Sequence, residues 1–99
     1  MPGSKPEYKI FYSSDVIKID IPRFDNKIKS IIERKIERLK HEPYLGLPLR
    51  GKLAKFYKLK VSKYRVVYEI QSNNLIIIII AIGKRDNLFV YETAKKRII

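Results

Sequence analysis

The chain of 99 residues has no cysteine, no tryptophan, one methionine and one histidine. Without cysteine there is neither a disulfide framework nor a thiolate nucleophile, and His41 alone cannot build a protein zinc site. No metal and no cofactor are expected. Long apolar runs are missing as well: the longest, Leu75 to Ile82, has eight residues, too few to cross a bilayer. Met1-Pro-Gly-Ser-Lys-Pro6 leads into no hydrophobic signal core, so the expectation is a soluble chain in a reducing cytoplasm. Acidic residues are scarce, with 10 Asp and Glu against 22 Lys and Arg, for a formal charge of +12. Such an excess points to a polyanion or an acidic protein as partner, and says nothing about the fold. Abundant Lys, Ile and Glu without Cys fits a thermophile source.

At this length one domain is expected over residues 1–99, with residues 1–6 as a loose tail. Glu7 to Tyr12 reads as a strand. Ser13 or Ser14 is placed to cap a short helix with Val16, Ile17, Asp20 and Ile21 at helical spacing, ended or bent by Pro22. Asp25 then caps a second helix whose stripe is Ile28, Ile31, Ile32, Lys35, Ile36 and Leu39 and which stops before Glu42-Pro43. Its outer face, with Glu33 and Glu37 beside Lys27, Lys29, Arg34 and Arg38, reads as a mixed solvated surface. Tyr44 to Lys52 is a connection. Gln71 to Asn74 is a turn, Leu75 to Ile82 a central strand covered on both faces, and Asn87 to Ile98 a last helix with Tyr91, Ala94 or Lys95, and Ile98 on one face. The order is β-α-α-β-β-β-α, an α+β domain.

The most informative stretch lies between Leu53 and Ile70. Leu53 to Val61 and Tyr64 to Ile70 both alternate polar and apolar residues, with only Ser62 and Lys63 between them. A two-residue hairpin pairs Val61 with Tyr64, Lys60 with Arg65, Lys58 with Val67 and Tyr57 with Tyr68. Tyr57, Leu59, Val61, Tyr64, Val66 and Tyr68 then form a core face, and Lys58, Lys60 and Arg65 share the other. Like charges directly opposite one another weaken a hairpin, which a fold tolerates when an anion sits between them or when the long side chains splay into water. The strand from Leu75 returns Arg85 to the level of Arg65. Lys58, Lys60, Arg65, Arg85 and Tyr91 therefore read as a phosphate site, against the plainer alternative of a solvated strand face.

In this order, Leu-Arg-Gly (49–51), Tyr-Lys-Leu-Lys (57–60), Tyr-Arg-Val-Val-Tyr (64–68), Gly-Lys-Arg (83–85), Val-Tyr (90–91) and Ala-Lys-Lys-Arg-Ile (94–98) resemble the RelE toxin family of the RelE/ParE superfamily. The resemblance implies a curved, mainly antiparallel sheet packed by helices. It also implies a ribosome-dependent endoribonuclease that cuts messenger RNA in the 30S A site by 2′-hydroxyl attack, in contact with ribosomal RNA, and is held inactive by a small RelB-type antitoxin, which the charge here requires to be acidic. The family's catalytic cations fall on Lys58, Lys60, Arg65 and Arg85, and its late aromatic on Tyr91. The hairpin turn is shorter than in the best-known bacterial relatives, which leaves open whether Lys58 or Lys60 is the base. A ParE-like toxin that binds DNA gyrase without chemistry, and a plain basic nucleic-acid-binding module, are the alternatives.

Cleavage by the neighbouring 2′-hydroxyl needs a base, a stabiliser for the phosphorane and a proton for the departing 5′-oxygen. His41, beside Glu42-Pro43 at a helix end, reads as a surface residue. A lysine acts as base when neighbouring like charges disfavour its ammonium, and Lys60 between Lys58 and Arg65 has that environment. Arg85 would face the leaving oxygen, Arg65 and Lys58 the nonbridging oxygens. Tyr91 would stack on a base, unless it is a core residue packed with Ala94 and Ile98. Arg50, Lys52, Lys55 and Lys84 are candidates for gripping RNA phosphates, although a solvated loop explains them almost as well.

Overall fold

The computed structural model describes residues 6–98. The expected tail at residues 1–6 therefore falls almost wholly outside the described residues. Among the described residues there are seven strands and α-helices: strands β1 (Lys9–Tyr12), β2 (Leu47–Pro48), β3 (Phe56–Val61), β4 (Tyr64–Gln71) and β5 (Ile76–Lys84), and helices α1 (Asn26–Glu37) and α2 (Phe89–Arg97). They form one five-stranded sheet in the order β1-β5-β4-β3-β2, antiparallel except where β1 runs parallel to β5. The α+β architecture matches the sequence expectation. The continuous β-branched run of β5 lies second from the edge, with packed residues on both faces, as its composition requires.

The β3–β4 register is the one read from the alternation, with Lys60 opposite Arg65 and Tyr57 opposite Tyr68. The tight turn works without Asn or Gly because Ser62 takes φ 55. One sheet face, with Leu59, Val61, Tyr64, Val66 and Tyr68, packs against Ile32 and Ile36 of α1 and Leu39 just beyond it. The other face, with Phe56, Val67 and Ala81, packs against Val90 and Ala94 of α2.

Helix α1 begins where its cap was expected, Asp25 Oδ1 accepting the Ile28 N–H at 2.9 Å. Its stripe is narrower than expected: Ile31 is 40% exposed and stands outside the core. The outer face of α1 is the mixed solvated surface expected, with Glu33, Arg34, Glu37 and Arg38 exposed and Glu37 paired with Lys40 at 2.7 Å. Glu33 and Glu37 lie toward Tyr12 of β1, where burial first and these two carboxylates next push the phenol pKa up to about 12. Arg34, Lys35 and Arg38 border a groove with Lys60 on the opposite flank.

Two further departures concern the connections. The expected short helix before Pro22 is a π turn over Val16–Asp20 followed by a 3-10 turn over Ile21–Arg23, with Ser13 Oγ accepting the Val16 N–H at 3.4 Å. The connection Tyr44 to Lys52 contains β2, which periodicity over two residues could not announce. A single glycine lets this segment dock: a Cβ at Gly46 would collide with the Lys58 carbonyl oxygen and the Tyr68 hydroxyl. The Tyr68 hydroxyl accepts from the Gly46 N–H at 3.0 Å and donates to the Pro43 carbonyl at 2.8 Å, so a buried tyrosine ties the connection to β4.

Candidate functional site

The site is assembled at the end of the sheet where the β3–β4 turn and the end of β5 meet. Antiparallel pairing sets Arg65 opposite both Lys60 and Gly83, and the Arg85 N–H donates to the Lys63 carbonyl at 2.9 Å. The chain then makes a 3-10 turn over Asp86–Leu88 into α2, passing through Leu88 at φ 57. A left-handed conformation at a branched, non-glycine residue is strained. That bend carries Tyr91 back over the sheet.

Arg65 is the anchor. It is 9% exposed, and its Nη1 donates to the Tyr64 carbonyl at 2.8 Å and the Ser62 carbonyl at 3.1 Å. These carbonyl dipoles accept part of the charge that would otherwise oppose Lys60, and the exposed Lys60 ammonium is solvated, so the like-charge pair is eased. The guanidinium also lies beside the Tyr91 hydroxyl. Burial pushes the Tyr91 pKa up, while the adjacent Arg65 charge and hydrogen bond pull it back. Tyr91 is half-buried and packs against the cluster that contains Val67, Val90 and Ala94, so it is both a packing residue and a neighbour of Arg65.

The two lysines differ. Lys58 is half-buried, paired with Leu47 on its outer side and Val67 on its inner side. Lys60 lies beyond the end of β2, is exposed, and borders the open edge of β3. Both also line a groove between that edge and Lys35 of α1. Arg85 is exposed. Among the described residues none of Lys58, Lys60, Arg65 and Arg85 is ion-paired with a carboxylate, and no cluster of His, Asp and Glu is suited to hold a metal ion.

The phosphate-gripping candidates divide. Lys84 is exposed at the Arg85 end of β5. Arg50, Lys52 and Lys55 are exposed around the 3-10 turn Gly51–Leu53, at the opposite end of β3, roughly 16 Å away along the strand from Lys60. His41 is on the surface, 3.6 Å from Glu7, and does not approach the cations.

One polar arrangement escaped the sequence reading. Asp20, in the π turn, is 3% exposed; its carboxylate accepts from Arg97 Nη1 at 2.8 Å, from Arg97 Nη2 at 2.9 Å and from the Ile82 N–H at 2.9 Å. Arg97 Nη1 also donates to the Ile80 carbonyl at 2.9 Å. The pair joins positions 77 residues apart, and an aspartate at helical spacing beside a terminal arginine gives no sign of it.

This geometry has counterparts among known proteins. A family model described as the ParE toxin of type II toxin–antitoxin systems, parDE, matches residues 8–89. A RelE-like toxin protein of Escherichia coli is 30% identical over 91% of this chain and 96% of its own length. The mRNA interferase toxin RelE of Escherichia coli K12 is 29% identical over 78% of this chain and 83% of its own. Among solved structures, a free mutant form of E. coli toxin RelE superposes with a TM-score of 0.77 at 24% identity, covering 94% of this chain and 99% of that one. The toxin in the RelBE2 toxin–antitoxin complex of Mycobacterium tuberculosis gives 0.74 at 22% identity, over 85% and 98%.

Proposed function

We propose that this chain, which belongs to the RelE/ParE toxins of type II toxin–antitoxin systems, is a metal-independent endoribonuclease that cuts messenger RNA in the ribosomal A site. The observation that carries the reading is the meeting of the cationic hairpin with Arg85 and Tyr91 at one end of the sheet, with no carboxylate drawn into it. A relative at 29% identity that is an mRNA interferase supports the same chemistry.

In the proposed reaction a 2′-oxygen attacks the adjacent phosphorus, the new P–O bond closes a 2′,3′-cyclic phosphate, and the P–O5′ bond breaks. Lys58 or Lys60 takes the 2′-proton. Of the two, Lys60 is the more accessible to a messenger backbone. Arg65 is held by the Ser62 and Tyr64 carbonyls, which suits a group that stabilises charge without reorganising. Arg85, exposed at the strand end, stabilises the departing 5′-oxygen, which takes its proton from water to leave as a 5′-hydroxyl. Tyr91 holds the flanking base or backbone. Lys84 grips phosphate near the cut, and Arg50, Lys52 and Lys55 grip ribosomal RNA further away. A basic surface of this size calls for a masking partner, and an acidic RelB-type antitoxin fits it; the solved relative with its antitoxin supports this.

Arg85→Ala is expected to slow single-turnover cleavage on programmed ribosomes about a hundredfold or more. Lys52→Ala is expected instead to weaken ribosome binding and reduce its salt slope by roughly one. Parental cleavage rates in Arg85→Ala would refute the assignment. The second reading, a toxin that binds DNA gyrase without chemistry, draws on the ParE family match and would show as inhibited supercoiling with intact messenger.

A further inference from the structure

We infer that Asp20 and Arg97 are positioning residues for the nuclease site, acting through α2 on Tyr91 and Arg65. The inference rests on the nuclease reading above for its kinetic part only. It starts from an unfinished sheet edge. β1 pairs with β5 from Ile76 to Ile79 and ends there, the Ser13 N–H donating to the Ile79 carbonyl at 3.0 Å. Past that point the outer edge of β5 has lost its strand partner, and a register shift opposite Val67 and Tyr68 falls at the same level. Two buried backbone groups then need partners, the Ile80 carbonyl and the Ile82 N–H.

Side chains supply them. Asp20 accepts from Ile82, Arg97 donates to Ile80, and the carboxylate and guanidinium join through two parallel contacts at 2.8 and 2.9 Å. The pair thus stands in for the missing strand. Asp15 adds a longer contact to Arg97 Nε at 3.7 Å. A bidentate pair whose carboxylate is buried and whose guanidinium is largely covered has little freedom of pose.

The consequence reaches the site because Arg97 is the last residue of α2, a helix of only nine residues with no side-chain cap at its start. Its N-terminal end hangs on the strained Leu88 bend, and its first turn is seated by Val90, whose Cβ would lie 3.3 Å from any Cβ at Gly83. The Asp20 contact fixes the C-terminal end. Two fixed points set the rotation of a short helix, and rotation decides whether Tyr91 faces Arg65. Without the pair, the C-terminal end of α2 keeps only its apolar packing, and the phenol has more freedom to turn from the guanidinium.

The test uses the full chain with ζ-¹³C-tyrosine, the Tyr91 resonance assigned by its loss in Tyr91→Phe. Asp20→Asn and Arg97→Lys are compared with the parent for melting temperature, Tyr91 titration and single-turnover cleavage. The expected result is a Tyr91 signal that moves and titrates closer to free tyrosine. With it, kcat should fall at least tenfold in Asp20→Asn with KM within twofold, and Arg97→Lys should lose less because a charged donor remains. If Asp20→Asn fails to fold, Arg97→Lys carries the same readouts. A lowered melting temperature with the Tyr91 signal and kcat unmoved would overturn the inference. A parent that cuts nothing would defeat the nuclease reading alone, and the Tyr91 signal would still decide whether the pair sets the helix.

Discussion

At the residue scale, the site depends on how one charge is accommodated. Arg65 is nearly buried without a carboxylate, which is costly unless donors and dipoles are matched, and the Ser62 and Tyr64 carbonyls do that locally. Lys60 opposite it remains in water. Relieving the pair by Lys60→Thr should therefore leave stability unchanged or raise it by about a few tenths of a kcal/mol, measured by urea unfolding. A marked loss would mean that Lys60 is structural. Two other residues tune stability with pH. Tyr12 and Tyr68 both have phenols pushed up to about 12, mainly by burial. A folded-state pKa raised above the unfolded one, near 10, means the folded chain holds these protons more tightly. Their contribution is complete below pH 10 and is lost as the pH climbs toward 12. Denaturant midpoints should fall across that window, and less steeply in Tyr12→Phe.

At the scale of elements, β2 and α2 are the parts that depend on contacts distant in sequence. Gly46→Ala should destabilise the fold by about 1–3 kcal/mol, because the added methyl meets backbone at Lys58 as well as the Tyr68 hydroxyl. Thermal melts would register this; an unchanged melt would mean that β2 is not docked as described. The hairpin, the α1 cap at Asp25 and the double-covered β5 were legible in the sequence because each rests on local periodicity or a local cap. The π turn, β2 and the exposed Ile31 were not. Their conformations answer to partners far along the chain: Ile82 and Arg97 for the π turn, Tyr57 and Lys58 for β2.

At the scale of the molecule, the five-stranded sheet holds the hairpin cations and the end of β5 at one level, and α2 closes over them from the core side. The net charge of +12 includes a basic groove between α1 and Lys60 and the exposed Lys84 and Arg85 at the end of β5. The candidate cations were recognisable beforehand because pairing register follows from alternation; the burial of Arg65 and its contact with Tyr91 were not, since both depend on how α2 is seated. The central claim is that these cations cut RNA on the ribosome without metal. It is tested most directly by incubating the purified chain with ribosomes paused on a defined messenger and mapping the new ends after brief EDTA treatment of the toxin. The account predicts a cut in the A-site codon leaving a 2′,3′-cyclic phosphate and a 5′-hydroxyl. A 5′-phosphate end, or cleavage that requires magnesium beyond what the ribosome itself needs, would contradict it.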